Sequence, residues 1–223
     1  MAGPLRLTLC GASGKMGAQV AALAAQDARF LLVARVKRSS SAQAVAAAME
    51  AADAAVDFSA PEAAVRFAAA AAKAGTPFVT GTTGFSPAQR AKLAAAARRI
   101  PVFAAPNFSP AVAVMAKLCA EASRALARFD LAVHEVHHAE KKDAPSGTAL
   151  RLAAALDRKA QVTSHRVGDV VGEHTVTFAG PFERLEIAHH AHSRALFARG
   201  ALDAAVWTVG RRRGLYSMED LVA

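Results

Sequence analysis

LRLTLCGASGKMG, from Leu5 to Gly17, decides how this chain is read. Its first six residues form a short apolar run of strand type, and turn chemistry follows at once. Glycines stand at 11, 14 and 17, and helical periodicity then runs to about Ala25. Strand, glycine turn and helix in that order let backbone approach a pyrophosphate at a helix N-terminus. Three glycines at this spacing also serve a merely tight turn. Their place in the first strand–helix–strand unit favours a dinucleotide loop of Gly11, Ala12, Ser13, Gly14, Lys15, Met16 and Gly17.

The alternation continues outward. A second apolar run spans Phe30–Val36, an alanine-rich helix is expected near Ala42–Ala52, and a strand over Ala54–Phe58. Pro61 opens a further helix that Gly75 stops. Strands at Thr76–Thr80 and Ile100–Ala104 bracket a helix started by Ser86-Pro87. Strands alternating with helices of this length predict a parallel sheet covered on both faces, a Rossmann-like α/β domain. The loops Gly81-Thr82-Thr83-Gly84 and Ala105-Pro106-Asn107-Phe108 then fall at the carboxyl edge of the sheet, where open α/β folds bind ligands. Gly81, Thr82, Thr83 and residues 105–108 are therefore candidate cofactor contacts, although either stretch also suits an ordinary loop.

Cofactor choice is set at the end of the second strand. A site for NAD places an acid there to hold the ribose 2′-hydroxyl. This chain has Val36-Lys37-Arg38, and two cations suit a 2′-phosphate, so NADPH is expected over NADH. Two exposed basic residues at a strand end are the plainer reading.

Composition narrows the class. The chain has 223 residues, enough for one large domain or two small ones, and 53% hydrophobic residues inflated by alanine. No apolar run approaches the roughly 20 residues that cross a bilayer, and the start lacks a signal peptide's apolar region. Cys10 and Cys119 lie far apart without CxxC spacing. A reduced, cytoplasmic protein is expected, with both thiols in the core. The net charge of +9 favours anionic partners. The basic residues are dispersed and no aromatics alternate with them, so nucleic acid is not the expected partner.

Past Pro110 the alternation breaks. A long helix is expected to about Arg128, then a strand over Asp130–His137. Alternation puts Val133, Glu135 and His137 on one face and His134, Val136 and His138 on the other. The strand leads into HHAEKKDAPSGTA, where Ser146 is a natural N-cap for a helix over Gly147–Leu156. Three readings compete for this stretch. Zinc needs converging ligands, and HHAEKKD offers neither helical nor CxxC-type spacing while two lysines repel a dication. A cation at Lys141, imidazoles, and the helix-start amides of Gly147 and Thr148 would suit a carboxylate being protonated nearby. A capped helix after a solvated charged loop is the third. Strand-like runs at His174–Phe178 and Glu183–His190 complete a mixed, open sheet packed by helices on one face, an α+β unit. Such a sheet commonly seeks another subunit, so an oligomer is expected. The segment Ala195–Ala223 is expected to return to the first domain. That divides the chain into a dinucleotide-binding domain of residues 1–108 and 195–223 and a substrate-binding and oligomerisation domain of residues 109–194.

HHAEKKDAPSGTA, together with GASGKMG, DFSAPE, GTTG, APNFS, GDVVGEHT and RGALDAAVWTVGRRRGLYSMEDL, resembles the dihydrodipicolinate reductase family over nearly the whole chain. The resemblance implies NAD(P)H-dependent reduction of a cyclic imine dicarboxylate, with loss of water, on the diaminopimelate route to lysine. It implies His137 as proton donor and acceptor and Lys141 as the second donor. It implies His138 on the substrate, a substrate carboxylate on the amides of Gly147 and Thr148, and Arg194 near the substrate pocket. It assigns cofactor contacts to the glycine loop, residues 81–83 and residues 105–108, and implies a homotetramer built on the substrate-domain sheets; from the ligand spacing above, no metal is expected. Family members usually carry a basic residue and a histidine where this chain has Ala139-Glu140. The chain is also shorter than the family norm between Arg38 and Asp53 and between Leu156 and Arg166. Two other classes compete: a cofactor-sensing protein without catalysis, and a semialdehyde dehydrogenase, which the lack of a nucleophilic cysteine after a strand disfavours.

Overall fold

The computed structural model describes residues 3–223; Met1 and Ala2, assigned above to the first domain, lie outside the described residues. The chain forms two compact units. One takes the described residues up to Phe108 with Ala195–Leu221 and Ala223, and the other takes Ser109–Arg194 and Val222.

In the first unit, β1 (Leu5–Cys10), β2 (Phe30–Val36), β3 (Ala54–Asp57), β4 (Phe78–Thr80) and β5 (Pro101–Ala104) alternate with α1 (Lys15–Ala25), α2 (Ala42–Glu50), α3 (Pro61–Ala74) and α4 (Pro87–Ala97). The order across the sheet is β10-β5-β4-β3-β1-β2, all parallel, with β10 (Gly214–Tyr216) at one edge. From α2, α3 and α4, Val45, Met49, Phe67, Ala71 and Leu93 pack on Cys10, Phe78 and Val102. Helices α1 and α7 (Ala195–Thr208) pack against each other, and α7 meets β3, β4 and β5. Alanine on these faces lets helices lie close. Gly200 of α7 carries that to its limit: a Cβ there would stand 1.9 Å from the Phe108 carbonyl oxygen.

Strand register positions the site. Cys10 pairs with Asp57, Asp57 with Thr80, and Thr80 with Ala104. Four strands therefore end level, and the loops after them emerge side by side. The chain leaves β1 toward β2 and returns to β3 on the other side, so the switch in strand order lies above the glycine loop.

The second unit holds α5 (Pro110–Ala125), β6 (Asp130–His137), α6 (Gly147–Ala155), β7 (Gln161–Arg166), β8 (Glu173–Ala179) and β9 (Arg184–His190). Its sheet runs β7-β6-β8-β9, with only β6 and β7 parallel. Leu131, Val133, Val176 and Phe178 pack with Met115 and Cys119 of α5 and Leu152 of α6.

Several boundaries move for physical reasons. The β4 strand starts at Phe78, not Thr76, because Gly75 takes φ +79 and the Thr76 amide still bonds back to Ala71. Helix α5 ends at Ala125 rather than Arg128, where Leu126 leaves helical geometry. Two strands went unpredicted. QVTSHR (β7) is polar and lies at a sheet edge, while β10 is three residues long and exists through pairing with β5. A short α8 (Met218–Leu221) closes the chain.

Candidate active site

The carboxyl edge of the first unit is built by close backbone approach. Gly11 has φ +79, and a Cβ there would stand 2.6 Å from the Phe58 carbonyl oxygen. At Gly17 a Cβ would fall 2.2 Å from the Gly11 carbonyl oxygen, so only glycine lets α1 start this near the turn. The α1 N-cap, Gly14, makes no side-chain cap and the first turn holds no acid. Its amides and its dipole favour an anion. This cradle fits the pyrophosphate of a dinucleotide. Ala12 and Met16 are half-buried in it, and Ser13 and Lys15 are exposed.

Beside it sits a buried carboxylate that the sequence reading missed. Asp57, at the end of β3, accepts from the hydroxyls of Ser59 (2.5 Å), Thr80 (2.8 Å) and Thr82 (2.8 Å). The Thr82 hydroxyl oxygen also accepts from the Ser59 amide at 3.1 Å. Burial pushes the Asp57 carboxyl up, against the three hydroxyls that draw it down. One carboxylate thus ties the loop after β3 to the loop after β4. Thr82 is buried in this network, leaving Gly81 half-buried and Thr83 exposed. Of the 105–108 loop, Ala105 is buried, Pro106 exposed and Asn107 half-buried. The Phe108 ring packs on Phe58 and Phe103 and is core, so a ligand would meet its backbone. Lys37 and Arg38 are exposed past β2. Arg66 of α3 donates to the Arg38 carbonyl at 2.8 Å and the Ser40 carbonyl at 3.1 Å, bringing a third cation to that turn.

In the second unit, β6 alternates as its sequence predicts: Leu131, Val133, Glu135 and His137 are buried. Glu135, fully buried, takes a two-pronged ion pair from Arg166, with NH2 on Oε1 at 2.8 Å and NH1 on Oε2 at 3.0 Å. The Ser146 amide donates to Oε1 at 3.1 Å, and His137 Nδ1 bonds Oε2. Burial alone would raise this carboxyl, but bonds from Arg166, Ser164, His137 and Ser146 prevail and hold it at about 2. Ser146 caps α6, its hydroxyl oxygen accepting from the Ala149 amide at 3.1 Å, and that oxygen lies 3.2 Å from His174 Nε2. The imidazole of His137 and the start of α6 therefore hang on one carboxylate.

His137 is pushed below the ordinary histidine value, first by burial and further by Lys141 and Arg166, with Glu135 opposing. His174 falls to about 4, through burial and its histidine neighbours 137 and 189. Lys141 Nζ contacts Asp143 at 2.7 and 2.9 Å. Arg194 NH2 donates to His138 Nε2 at 2.8 Å, which makes that nitrogen an acceptor. Gly147 is exposed, with nothing within 4 Å of where its Cβ would be, and Thr148 is half-buried. Ala139 and Glu140, where the chain departs from the pattern it resembles, point to solvent. Among the described residues no three His, Cys, Asp or Glu side chains converge to hold a metal ion.

Family models described as dihydrodipicolinate reductase, N-terminus and C-terminus, match residues 5–108 and 111–222. The chain belongs to the dihydrodipicolinate reductase family. It is 46% identical over 234 residues to the 4-hydroxy-tetrahydrodipicolinate reductase of Stenotrophomonas maltophilia (strain K279a), covering 98% of each chain. It is 38% identical over 262 residues to that of Anaeromyxobacter dehalogenans (strain 2CP-C), covering 97% of each. Both alignments are longer than the 223 residues of this chain, so both relatives carry insertions relative to it. Among solved structures, the dipicolinate-bound dihydrodipicolinate reductase from Paenisporosarcina sp. TG-14 has the same fold, with TM-score 0.82 at 20% identity over 98% of this chain and 99% of that one.

The sequence singles out His137, His138, Ser146 and Arg194; the contacts of Asp57, Arg66, Glu135, Arg166 and His174 are seen only in the structure. Glu135 carried a signal, since alternation already set it on the His137 face. Arg166 and His174 carried none, because strand pairing alone brings them in.

Proposed function

We propose that this chain reduces 4-hydroxy-tetrahydrodipicolinate to tetrahydrodipicolinate with NAD(P)H, releasing water. One hydride and one proton enter the ring and one water leaves. Bound NAD(P)H supplies the hydride. The chain's residues do the rest: Gly147 and Thr148 amides at the α6 start hold a substrate carboxylate, and His138 with Arg194 offers a second polar contact. His137 gives the proton and Lys141 is the second donor. Hydride addition to a conjugated imine leaves negative charge on the ring, and a positioned acid stabilises that charge more than the ground state. His137 rests neutral because burial and two cations disfavour its charge. A dicarboxylate brings the negative charge that draws a proton onto it.

The carrying observation is the single carboxylate, Glu135, shared by the His137 imidazole and the Ser146 cap of α6. We assign cofactor contacts to Gly11, Ala12, Ser13, Gly14, Lys15, Met16, Gly17, Gly81, Thr82, Thr83 and the backbone of 105–108. Lys37 and Arg38, with Arg66 beside them, favour the 2′-phosphate of NADPH over NADH. Residues 1–108 with 195–223 form the cofactor domain in this proposal, and residues 109–194 the substrate and assembly domain. The sheet face of Ala132, His134, Thr175 and Thr177, opposite the buried row, is our candidate tetramer surface. Two free buried cysteines suit a cytoplasmic protein, and no described helix is long and apolar enough to cross a membrane.

NADPH consumption, with the synthase that makes the cyclic substrate in the same assay, tests the reading. The wild type should turn over. His137→Gln combined with Lys141→Ala should abolish turnover and leave the NADPH Kd within about threefold. Full activity in that double variant would remove the catalytic assignment.

A further inference from the structure

The donors around Glu135 define its state without reference to any titration. Arg166 contributes two N–H groups, Ser146 contributes its amide, and none of these can accept a hydrogen bond. These donors occupy both carboxylate oxygens, so Glu135 is ionised, and the Ser164 hydroxyl, which could act either way, donates to it as well. The hydrogen in its bond to His137 therefore sits on Nδ1 of the imidazole, in the neutral and the charged ring alike. Nε2 is left as the nitrogen that gains and loses a proton.

Gly172, just before β8, bears on that nitrogen. It has no positive φ, so its backbone does not call for glycine. A Cβ at 172 would nevertheless stand 2.9 Å from His137 Nε2 and 3.2 Å from Cδ2. A side chain there would take the place of a hydrogen-bond partner of Nε2. We propose that Glu135 is the positioning residue of the proton donor: anchored by Arg166 and Ser146, it fixes the His137 ring with Nδ1 protonated and leaves Nε2 as the delivering nitrogen, in space that Gly172 keeps open.

The inference rests on His137 being the donor. The charged and titratable groups facing that ring are Glu135 on its own strand, Lys141 in the following turn, Arg166 of β7 and His174 of β8, whose ring centroid lies 5.1 Å away. Glu135 is the one anion in that set, so its charge opposes the three cationic or basic neighbours.

Nitrogen-15 NMR of the histidine-labelled wild-type chain, assigned with His137→Gln, reads the tautomer directly and needs no further variant. Nδ1-protonated His137 is expected; an Nε2-protonated ring overturns the proposal. Glu135→Gln should lower the His137 titration midpoint by about one pH unit or more, the scale of a lost adjacent charge. Its kcat should drop roughly tenfold or more, with its alkaline limb, where the donor loses its proton, displaced to lower pH and the NADPH Kd unchanged. A folded Glu135→Gln whose His137 titration stays at the wild-type midpoint overturns the proposal while leaving the donor reading intact. A moved titration with unchanged kcat and pH profile overturns both, because His137 is then not the donor. Gly172→Ala should lower kcat with cofactor affinity retained; wild-type kcat in that variant removes the role given to Gly172.

Discussion

Acidification should loosen the second unit through one side chain, His174. The residue is 4% exposed, Nε2 meets the Ser146 hydroxyl, and Nδ1 is buried without a hydrogen-bond partner among the described residues. Protonation would bury a charge and an unpaired N–H beside His137 and His189. Its value falls from an ordinary 6.5 to about 4 in the folded chain. Between those two values the unfolded chain takes up a proton that the folded chain refuses, so stability falls as pH drops from about 6.5 to about 4. Fully expressed, that difference corresponds to roughly 3 kcal/mol, and about 2 kcal/mol of it is lost between pH 7 and pH 5. Urea unfolding at fixed protein concentration measures it at both pH values. His174→Gln keeps a polar partner for Ser146 without titrating, and it should remove about 2 kcal/mol of the wild type's pH dependence. Equal pH dependence in wild type and variant would refute the reasoning, because the acid sensitivity would then belong to other groups.

Other consequences follow from named contacts. Lys37→Glu should weaken NADPH binding by about tenfold to a hundredfold while NADH changes little, since a charge-assisted bond is worth about 1.5–3 kcal/mol; titration calorimetry with both cofactors checks the ratio. In Asp57→Asn an amide cannot accept from all three hydroxyls, so the thermal midpoint should drop by an amount worth about 1–3 kcal/mol, with NADPH affinity falling in the same protein. Ser146→Ala deletes the α6 cap and should cost about 1 kcal/mol in urea unfolding, with a raised KM for the dicarboxylate as the helix start loosens.

Much of the fold is legible in the sequence alone. Periods of apolar residues and glycine, proline and serine punctuation are local signals, and they placed the alternation of the first unit, the glycine loop and β6. Alternation along Leu131–His137 also put Glu135 and His137 together on the buried face. Capping chemistry likewise located the start of α6 at Ser146. Each depends on residues within one turn or one strand of each other.

Tertiary structure decided what those residues do to one another. Arg166 reaches Glu135 across 31 residues, His174 reaches Ser146 across 28, and Thr80 reaches Asp57 across 23. β7 reads as polar loop in isolation and becomes a strand by pairing with β6, which is what delivers Arg166. Gly172 looks like a turn glycine until the His137 ring is found against it. Local periodicity selects elements and the faces they bury, but the ionisation of a buried group depends on charges that only strand pairing and burial bring to it.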